Sequence, residues 1–218
     1  MNRTPLGEKL PDFPWDSLAE AKAKAAAHPD GIINLSVGTP VDPVSPGVQL
    51  GLASTAAEPG YPATAGTPEL QQAIVSAMER RYHVTGLDTE SVLPVIGSKE
   101  AIAWLPTLLG LSGHRIVIPS LAYPTYEVGA RLAGAEAIRA DETADFGDAS
   151  LVYLNYPANP TGQVASVEHL RQVVAWARAN DAIVASDECY LGLGWNDDNP
   201  PVSILDLSLI HISDGARE

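Results

Sequence analysis

The segment from Ser150 to Tyr190 constrains the fold of this chain more than any other. Its apolar run Leu151–Asn155 is typical of a buried strand, and apolar residues then recur at helical spacing from Val167 to Ala179. A second apolar run, Ala182–Ser186, predicts another buried strand. A strand, a helix and a strand in this order form a β-α-β unit, whose two strands lie parallel in one sheet.

Polar residues follow both predicted strands. An Asn-Pro-Thr-Gly run at residues 159–162 comes after the first strand, and Asp187 and Tyr190 come after the second. Because ligands bind beyond the carboxyl ends of parallel strands, we expect Asn159, Asp187 and Tyr190 to lie close together. Each piece alone also has an ordinary structural explanation, since such a run is often a turn and an Asp after a strand is often a helix cap.

The order and spacing of these residues resemble the core of the fold-type I, class I and II aminotransferases. The resemblance implies pyridoxal 5'-phosphate (PLP) as the cofactor. It pairs Asp187 with the protonated pyridine nitrogen, and it assigns Asn159 and Tyr190 to the phenolic oxygen of the ring. A carboxylate beside the nitrogen keeps it protonated, so that the ring can withdraw electrons from the substrate.

A Gly-Ser pair, Gly97-Ser98, lies between a predicted strand at 91–96 and a predicted helix at 101–111. Backbone amides and a hydroxyl at the positive end of a helix suit a phosphate, although Ser98 could equally be an ordinary N-cap. Together with the resemblance, this makes Ser98 and Lys99 the predicted phosphate-binding residues.

The resemblance assigns roles to further residues. Tyr123 would stack on the pyridine ring, whereas the second aromatic, Tyr126, is expected only to pack. Tyr61 would reach the cofactor phosphate of the partner subunit in a homodimer, and the amide of Gly38 would contact the substrate carboxylate. From the residues alone, Tyr61 could also be a packing residue and Gly38 a turn glycine.

The alternation of strands and helices from residue 91 to 186 predicts the α/β class, a three-layer α/β/α fold with a mostly parallel sheet. This stretch includes a predicted strand at 115–119. Towards the N-terminus, the patterns predict a helix capped by Asp16, a short strand at 32–35 and a helix at 68–82.

We expect three parts in the chain. Residues 1–40 would form an N-terminal arm and part of a small domain, and residues 41–206 an incomplete PLP-binding large domain. The tail, residues 207–218, departs from the family pattern and is interpreted either as foreign sequence or as a divergent loop.

Composition excludes some functions. The chain has 218 residues and a formal net charge of −14, from 27 acidic and 13 basic residues, which argues against nucleic-acid binding. It lacks an apolar run long enough to cross a membrane, which takes about 20 residues. The single cysteine, Cys189, fits a reducing cytoplasm and is expected to be a small buried spacer. His211 has no partners at metal-ligand spacing, so no metal site is predicted.

The resemblance also implies a lysine after Asp187 that binds the cofactor covalently and moves the proton at the substrate α-carbon. The sequence contains four lysines, and none follows Asp187: Lys9, Lys22, Lys24 and Lys99. We therefore expect that no catalytic residue of this kind is present and that the chain as given is inactive in amino transfer.

Within the family, the segments from Phe13 to Pro40 and from Pro59 to Gly66 most resemble actinobacterial succinyldiaminopimelate aminotransferases of lysine biosynthesis. This implies N-succinyl-LL-2,6-diaminopimelate, 2-oxoglutarate and glutamate as substrates of a cytoplasmic homodimer. Two alternatives stay open at this point: a PLP-dependent C–S lyase on the same scaffold, and a non-catalytic fragment.

Overall fold

The computed structural model describes residues 6–11, 16–35, 38 and 40–207, which form two compact units. The smaller unit spans Asp12–Thr64, and the larger unit contains the residues before and after it. Among its described residues, the smaller unit contains two α-helices, α1 (Ala19–Ala26) and α2 (Pro46–Thr55).

Two predictions for the smaller unit are wrong. A 3-10 turn from Asp16 to Leu18 precedes α1, so Leu18 is the N-cap residue of this helix and Asp16 is not. Residues 32–35 are not a strand: Ile33 is 87% exposed and Leu35 is 89% exposed. An isolated extended segment gains neither ladder hydrogen bonds nor burial, and none of the described strands pairs with this one.

The larger unit contains four helices and four strands among its described residues. In chain order they are α3 (Pro68–Tyr82), α4 (Ser98–Leu108), β1 (Arg115–Ile118), α5 (Thr125–Ala133), β2 (Glu136–Arg139), β3 (Leu151–Asn155), α6 (Val167–Ala179) and β4 (Ile183–Asp187). The bounds predicted for α3, β3 and α6 are confirmed.

Among the helices of the described ranges, none is long and apolar enough to cross a membrane.

Local sequence sets the ends of α3. The hydroxyl of Thr67 accepts a hydrogen bond from the backbone N–H of Leu70 at 3.2 Å, and Pro68 occupies the first turn, where its missing N–H costs nothing. His83 ends the helix in the left-handed conformation, with φ of 60°.

The strands form one parallel sheet in the order β2-β1-β3-β4. Strands β3 and β4 pair over their full length, from Leu151 opposite Ile183 to Asn155 opposite Asp187. The polar carboxyl ends of these two strands therefore lie side by side, which confirms the predicted β-α-β unit and the α/β class.

Alternating residues of the strands face two separate cores. Val152 and Leu154 of β3 join a cluster that contains residues of α6. Leu151 and Tyr153 join a second cluster with residues of α4 and α5. The sheet therefore lies between two helical layers, with α6 on one face and α4 and α5 on the other.

Three details of this unit differ from the prediction. Residues 92–96 are not a strand, because they pair with none of the strands described and Pro94 has no N–H to give to a ladder. Helix α4 begins and ends three residues before the predicted bounds. Strand β2 was not predicted, since its four residues carry a charge at each end, Glu136 and Arg139.

Helices α4 and α5 approach closely at Gly129, where an added Cβ would lie 2.9 Å from the carbonyl oxygen of Ile102 and 3.0 Å from the Cα of Ala103. We predict that Gly129→Ala lowers the free energy of unfolding by about 1–3 kcal/mol, because the overlap with backbone atoms outweighs the helix propensity gained, about 1 kcal/mol. Thermal unfolding followed by circular dichroism measures the change.

The matched control is Gly51→Ala in α2, where an added Cβ would have no atom within 4 Å apart from its chain neighbours and the adjacent backbone of its own helix. This control should not lower the unfolding temperature. Equal effects of the two substitutions would contradict a packing role for Gly129.

Candidate functional site

Asn155 joins the carboxyl ends of β3 and β4. Its side-chain Nδ2 donates to the backbone carbonyl of Asp187 at 3.1 Å, and its Oδ1 accepts from the backbone N–H of Asn159 at 3.0 Å. The residue is only 6% exposed, so both hydrogen bonds are shielded from water. Asn155 thus fixes the loop after β3 relative to the end of β4. Sequence reasoning missed this role, although a polar residue at the end of an apolar run was a usable signal.

Asn159 and Tyr190 converge as predicted. Nδ2 of Asn159 lies 3.5 Å from the hydroxyl oxygen of Tyr190, at the limit for a hydrogen bond, and both residues are partly exposed. An amide N–H and a phenolic O–H that lie this close can both donate to one external oxygen atom.

The carboxylate of Asp187 is held at both oxygen atoms. Oδ2 accepts a hydrogen bond from the hydroxyl of Tyr126 at 2.7 Å, and Oδ1 accepts one from the backbone N–H of Cys189 at 3.3 Å. Burial, and next the hydrogen bond to Asp187, raises the pKa of Tyr126 far above its ordinary value. The hydroxyl of Tyr126 therefore remains protonated and donates. The expectation that Tyr126 only packs was incomplete.

The N-terminus of α4 lies beside Tyr123. Ser98 and Lys99 are the first two residues of α4 and are exposed, and Nζ of Lys99 lies 5.9 Å from the centre of the Tyr123 ring. The carbonyl of Tyr123 accepts from the backbone N–H of Tyr126 at 3.2 Å. Together, these two contacts connect the start of α4, through Tyr123, to Tyr126, the residue whose hydroxyl holds Asp187.

These contacts link five of the site residues predicted in the larger unit to one edge of the sheet: Lys99, Tyr123, Asn159, Asp187 and Tyr190. Ser98 precedes Lys99 at the start of α4. Tyr61 and Gly38 belong to the smaller unit and are exposed there. Their assigned roles stay predictions.

Glu188 anchors the chain that follows β4. Its Oε2 accepts from the hydroxyl of Ser203 at 2.8 Å, and its Oε1 accepts from the backbone N–H of Ile204 at 2.8 Å and from the hydroxyl of Ser186 at 2.9 Å. Because Glu188 follows Asp187 directly, these bonds also restrain the turn that carries Asp187 and Tyr190.

The prediction that Cys189 is buried is wrong, because the residue is exposed at the edge of the site. Partial shielding of the thiol, and next the carboxylate of Asp187, raises the pKa of Cys189 to about 12. A thiol with this pKa is protonated near neutral pH, which does not favour a nucleophilic role for Cys189.

A cavity of about 500 Å³ lies next to the site, beyond β1, β2 and β3. Asp141, Glu142, Tyr156 and His169 contribute to its lining, and none of the six predicted site residues of the larger unit does so. Burial, followed by the charges of Asp141 and Glu142, raises the pKa of Tyr156. Two carboxylates make this cavity unsuitable for a phosphate group.

Comparison with known proteins gives one family. The family model described as "Aminotransferase class I and II" matches residues 30–212. The chain is 61% identical over 203 residues to a "Probable aminotransferase" of Mycobacterium tuberculosis, covering 92% of this chain and 48% of that protein. It is 48% identical over 201 residues to the 4-dedimethylamino-4-oxo-anhydrotetracycline transaminase of Streptomyces rimosus, covering 91% and 55%.

More distant relatives extend this result. The LL-diaminopimelate aminotransferase of Gloeobacter violaceus is 32% identical over 213 residues, covering 89% of this chain and 54% of that protein. A crystal structure of an aminotransferase from Neisseria meningitidis superposes with a TM-score of 0.81 at 27% identity, covering 96% of this chain and 58% of that one. The chain thus spans about half the length of these relatives.

The role of Asn155 can be tested with Asn155→Asp. An ionised carboxylate cannot donate to the carbonyl of Asp187, so we predict a loss of about 2 kcal/mol in the free energy of unfolding at pH 7. The neutral acid can donate, so folding raises the pKa of the new group. The deficit relative to the unaltered chain should therefore be smallest near pH 3 and grow as the pH rises. Urea unfolding at several pH values measures it.

Asn180→Asp is the matched control. Nδ2 of Asn180 also donates to a backbone carbonyl, that of Trp176 at 2.8 Å, but the pair is exposed to water. We expect a small deficit here, within about 0.5 kcal/mol. A deficit at Asn155 that is equally small and independent of pH would contradict the role given to this residue.

Proposed function

Because this chain belongs to the class I and II aminotransferases, a PLP-dependent family, we propose that it carries the cofactor-binding residues of an enzyme that moves an amino group between an amino acid and a 2-oxo acid. One observation carries the proposal. Asp187 ends β4, and Asn155 hydrogen-bonds both to the backbone of Asp187 and to the backbone of Asn159, whose amide lies close to the hydroxyl of Tyr190.

The chemistry of these donors fits the PLP ring. Asp187 offers a carboxylate whose orientation is held at both oxygens, which suits a protonated pyridine nitrogen. Asn159 and Tyr190 offer two neighbouring donors, which suit the phenolic oxygen. The carboxylate of Asp187 would thus face the positive ring nitrogen, and the two neutral donors would face the phenolic oxygen.

Ser98 and Lys99 would hold the phosphate, because a helix N-terminus and an ammonium group both attract an anion. This local arrangement matters in a chain whose formal charge is −14. Tyr123, whose ring lies near Lys99, would cover one face of the pyridine ring. We extend the proposal to Tyr61 as a phosphate ligand across a homodimer interface and to Gly38 as a contact for the substrate carboxylate.

When bound, PLP withdraws electrons from the substrate α-carbon and so weakens the bond to its proton. Asp187 would keep a proton on the ring nitrogen, and Asn159 and Tyr190 would fix the plane of the ring. Removal of the α-carbon proton needs a base, and no lysine follows Asp187 in these 218 residues. We therefore propose that this chain binds the cofactor and does not by itself complete amino transfer.

For the substrate, we propose N-succinyl-LL-2,6-diaminopimelate, with 2-oxoglutarate and glutamate as the second pair, in the cytoplasmic route to lysine. The resemblance of residues 13–40 and 59–66 supports the succinylated substrate. The similarity to the Gloeobacter enzyme, whose name gives LL-diaminopimelate as its substrate, supports only the diaminopimelate skeleton. The Streptomyces relative, more similar in sequence, is named for a tetracycline intermediate, so substrate choice varies among the relatives.

Cofactor binding is the first test. We predict that pyridoxamine 5'-phosphate, the amino form of the cofactor, binds one site per chain, and that Asp187→Ala weakens binding by about tenfold or more, because a hydrogen-bonded charge pair is lost. Isothermal titration calorimetry measures both values. The amino form cannot react covalently with lysines, so nonspecific modification does not interfere.

The control variant for this titration is Asp148→Ala. Asp148 forms an ion pair with Arg115, at the amino end of β1 and thus at the opposite edge of the sheet. Its removal should leave the affinity unchanged. Equal losses in the two variants would refute the assignment of Asp187.

The substrate proposal has its own test. With PLP bound, the chain should bind N-succinyl-LL-2,6-diaminopimelate more tightly than unsuccinylated LL-2,6-diaminopimelate, yet form no glutamate from 2-oxoglutarate beyond the amount that free PLP produces. Calorimetry and a glutamate assay measure the two outcomes. No preference would count against the substrate, and steady glutamate formation would count against the proposed lack of turnover.

A further inference from the structure

A buried hydroxyl of α5 contacts the carboxyl end of β4. We infer that Tyr126 is a positioning residue for the cofactor: its hydroxyl sets the direction in which the carboxylate of Asp187 meets the ring nitrogen. This inference rests on the proposed function, because it assumes that Asp187 pairs with that nitrogen. It gives a specific task to a residue that sequence reasoning assigned to packing.

The geometry restrains the carboxylate in two directions. The hydroxyl of Tyr126 donates to Oδ2 at 2.7 Å, while the N–H of Cys189 donates to Oδ1 at 3.3 Å. One donor comes from a helix that packs on the sheet, and the other comes from the turn after β4. Rotation of the carboxylate would break the shorter bond, so Tyr126 is the stronger restraint.

Tyr126 is itself immobilised. It is 1% exposed, and its ring lies 5.0 Å from the ring of Tyr153, tilted by 57°. The hydroxyl of Tyr153 donates elsewhere, to the carbonyl of Ile102 in α4 at 2.8 Å, so it is the ring of Tyr153 and not its hydroxyl that supports Tyr126. The close contact at Gly129 keeps α5 against α4. A side chain enclosed in this way cannot swing its hydroxyl away from Asp187 at low cost.

The hydrogen bond also has a chemical consequence. The hydroxyl of Tyr126 donates to Oδ2 and so occupies one acceptor position of the carboxylate, which leaves the other positions for the protonated pyridine nitrogen. In addition, Tyr123 lies three residues before Tyr126, so one short segment would orient both the ring plane and the partner of the ring nitrogen.

The test compares two ligands that differ at one atom. Pyridoxamine 5'-phosphate carries the pyridine nitrogen, and its 1-deaza analogue carries a C–H group there. Calorimetry gives the ratio of the two affinities for the full chain, for Tyr126→Phe, for Asp187→Asn and for the double variant. A loss of general stability would weaken both ligands equally, whereas a positioning role changes the ratio.

We expect Tyr126→Phe to reduce the affinity for pyridoxamine 5'-phosphate by about tenfold, because the carboxylate must then be ordered on binding and its bond to the ring nitrogen weakens, and to leave the affinity for the analogue within about twofold. Asp187→Asn should remove the preference for the natural ligand. Adding Tyr126→Phe to Asp187→Asn should then cause no further loss of preference, because the two residues act in series.

Tyr153→Phe is the matched control, since it also removes a buried tyrosine hydroxyl next to the same rings but one that does not contact Asp187. Its ratio should equal that of the unaltered chain. If Asp187→Asn abolishes the preference and Tyr126→Phe does not change it, the positioning role is wrong and the proposed function stands. If Asp187→Asn leaves the preference intact, or if neither ligand binds the unaltered chain, the proposed function fails and the inference fails with it.

Discussion

The pairing of Asn155 with Asp187 at the ends of two parallel strands is the interaction on which the site depends. Because β3 and β4 keep their register to the last residue, the loop after β3 and the turn after β4 start at the same height of the sheet. Asn155 then hydrogen-bonds to both segments and is shielded from water while it does so. A slip of one residue would turn one of these two side chains to the other face and separate the polar groups.

The helical layer on one face of the sheet completes the arrangement. Helix α5 brings Tyr126 to Asp187, and the N-terminus of α4 brings Lys99 to the ring of Tyr123. The apolar contacts between α4 and α5 therefore contribute to the site as well as to stability. They fix the distance between the N-terminus of α4, where the phosphate would bind, and the carboxylate of Asp187. Rigid elements hold polar groups more precisely than free loops do.

Apolar runs and the polar residues after them predicted most of the β-α-β unit and the placement of Asn159, Asp187 and Tyr190 at one edge, because these are local signals. The family resemblance supplied Lys99 and Tyr123. Sequence reasoning failed where pairing decides the outcome. Residues 92–96 have strand-like composition, yet among the described strands they find no partner. Strand β2 has little apolar character and is a strand because β1 pairs with it. The hydrogen bond from Tyr126 to Asp187 joins residues 61 positions apart, which no local pattern reveals.

We propose that this edge of the sheet holds the PLP ring, and a crystal structure of the chain with pyridoxamine 5'-phosphate is the decisive experiment. We expect the ring nitrogen within hydrogen-bonding distance of Asp187, the phenolic oxygen next to Asn159 and Tyr190, and the phosphate at the start of α4. A ligand found instead in the neighbouring cavity beside Asp141 and Glu142, with no contact to Asp187, would refute the proposed cofactor site.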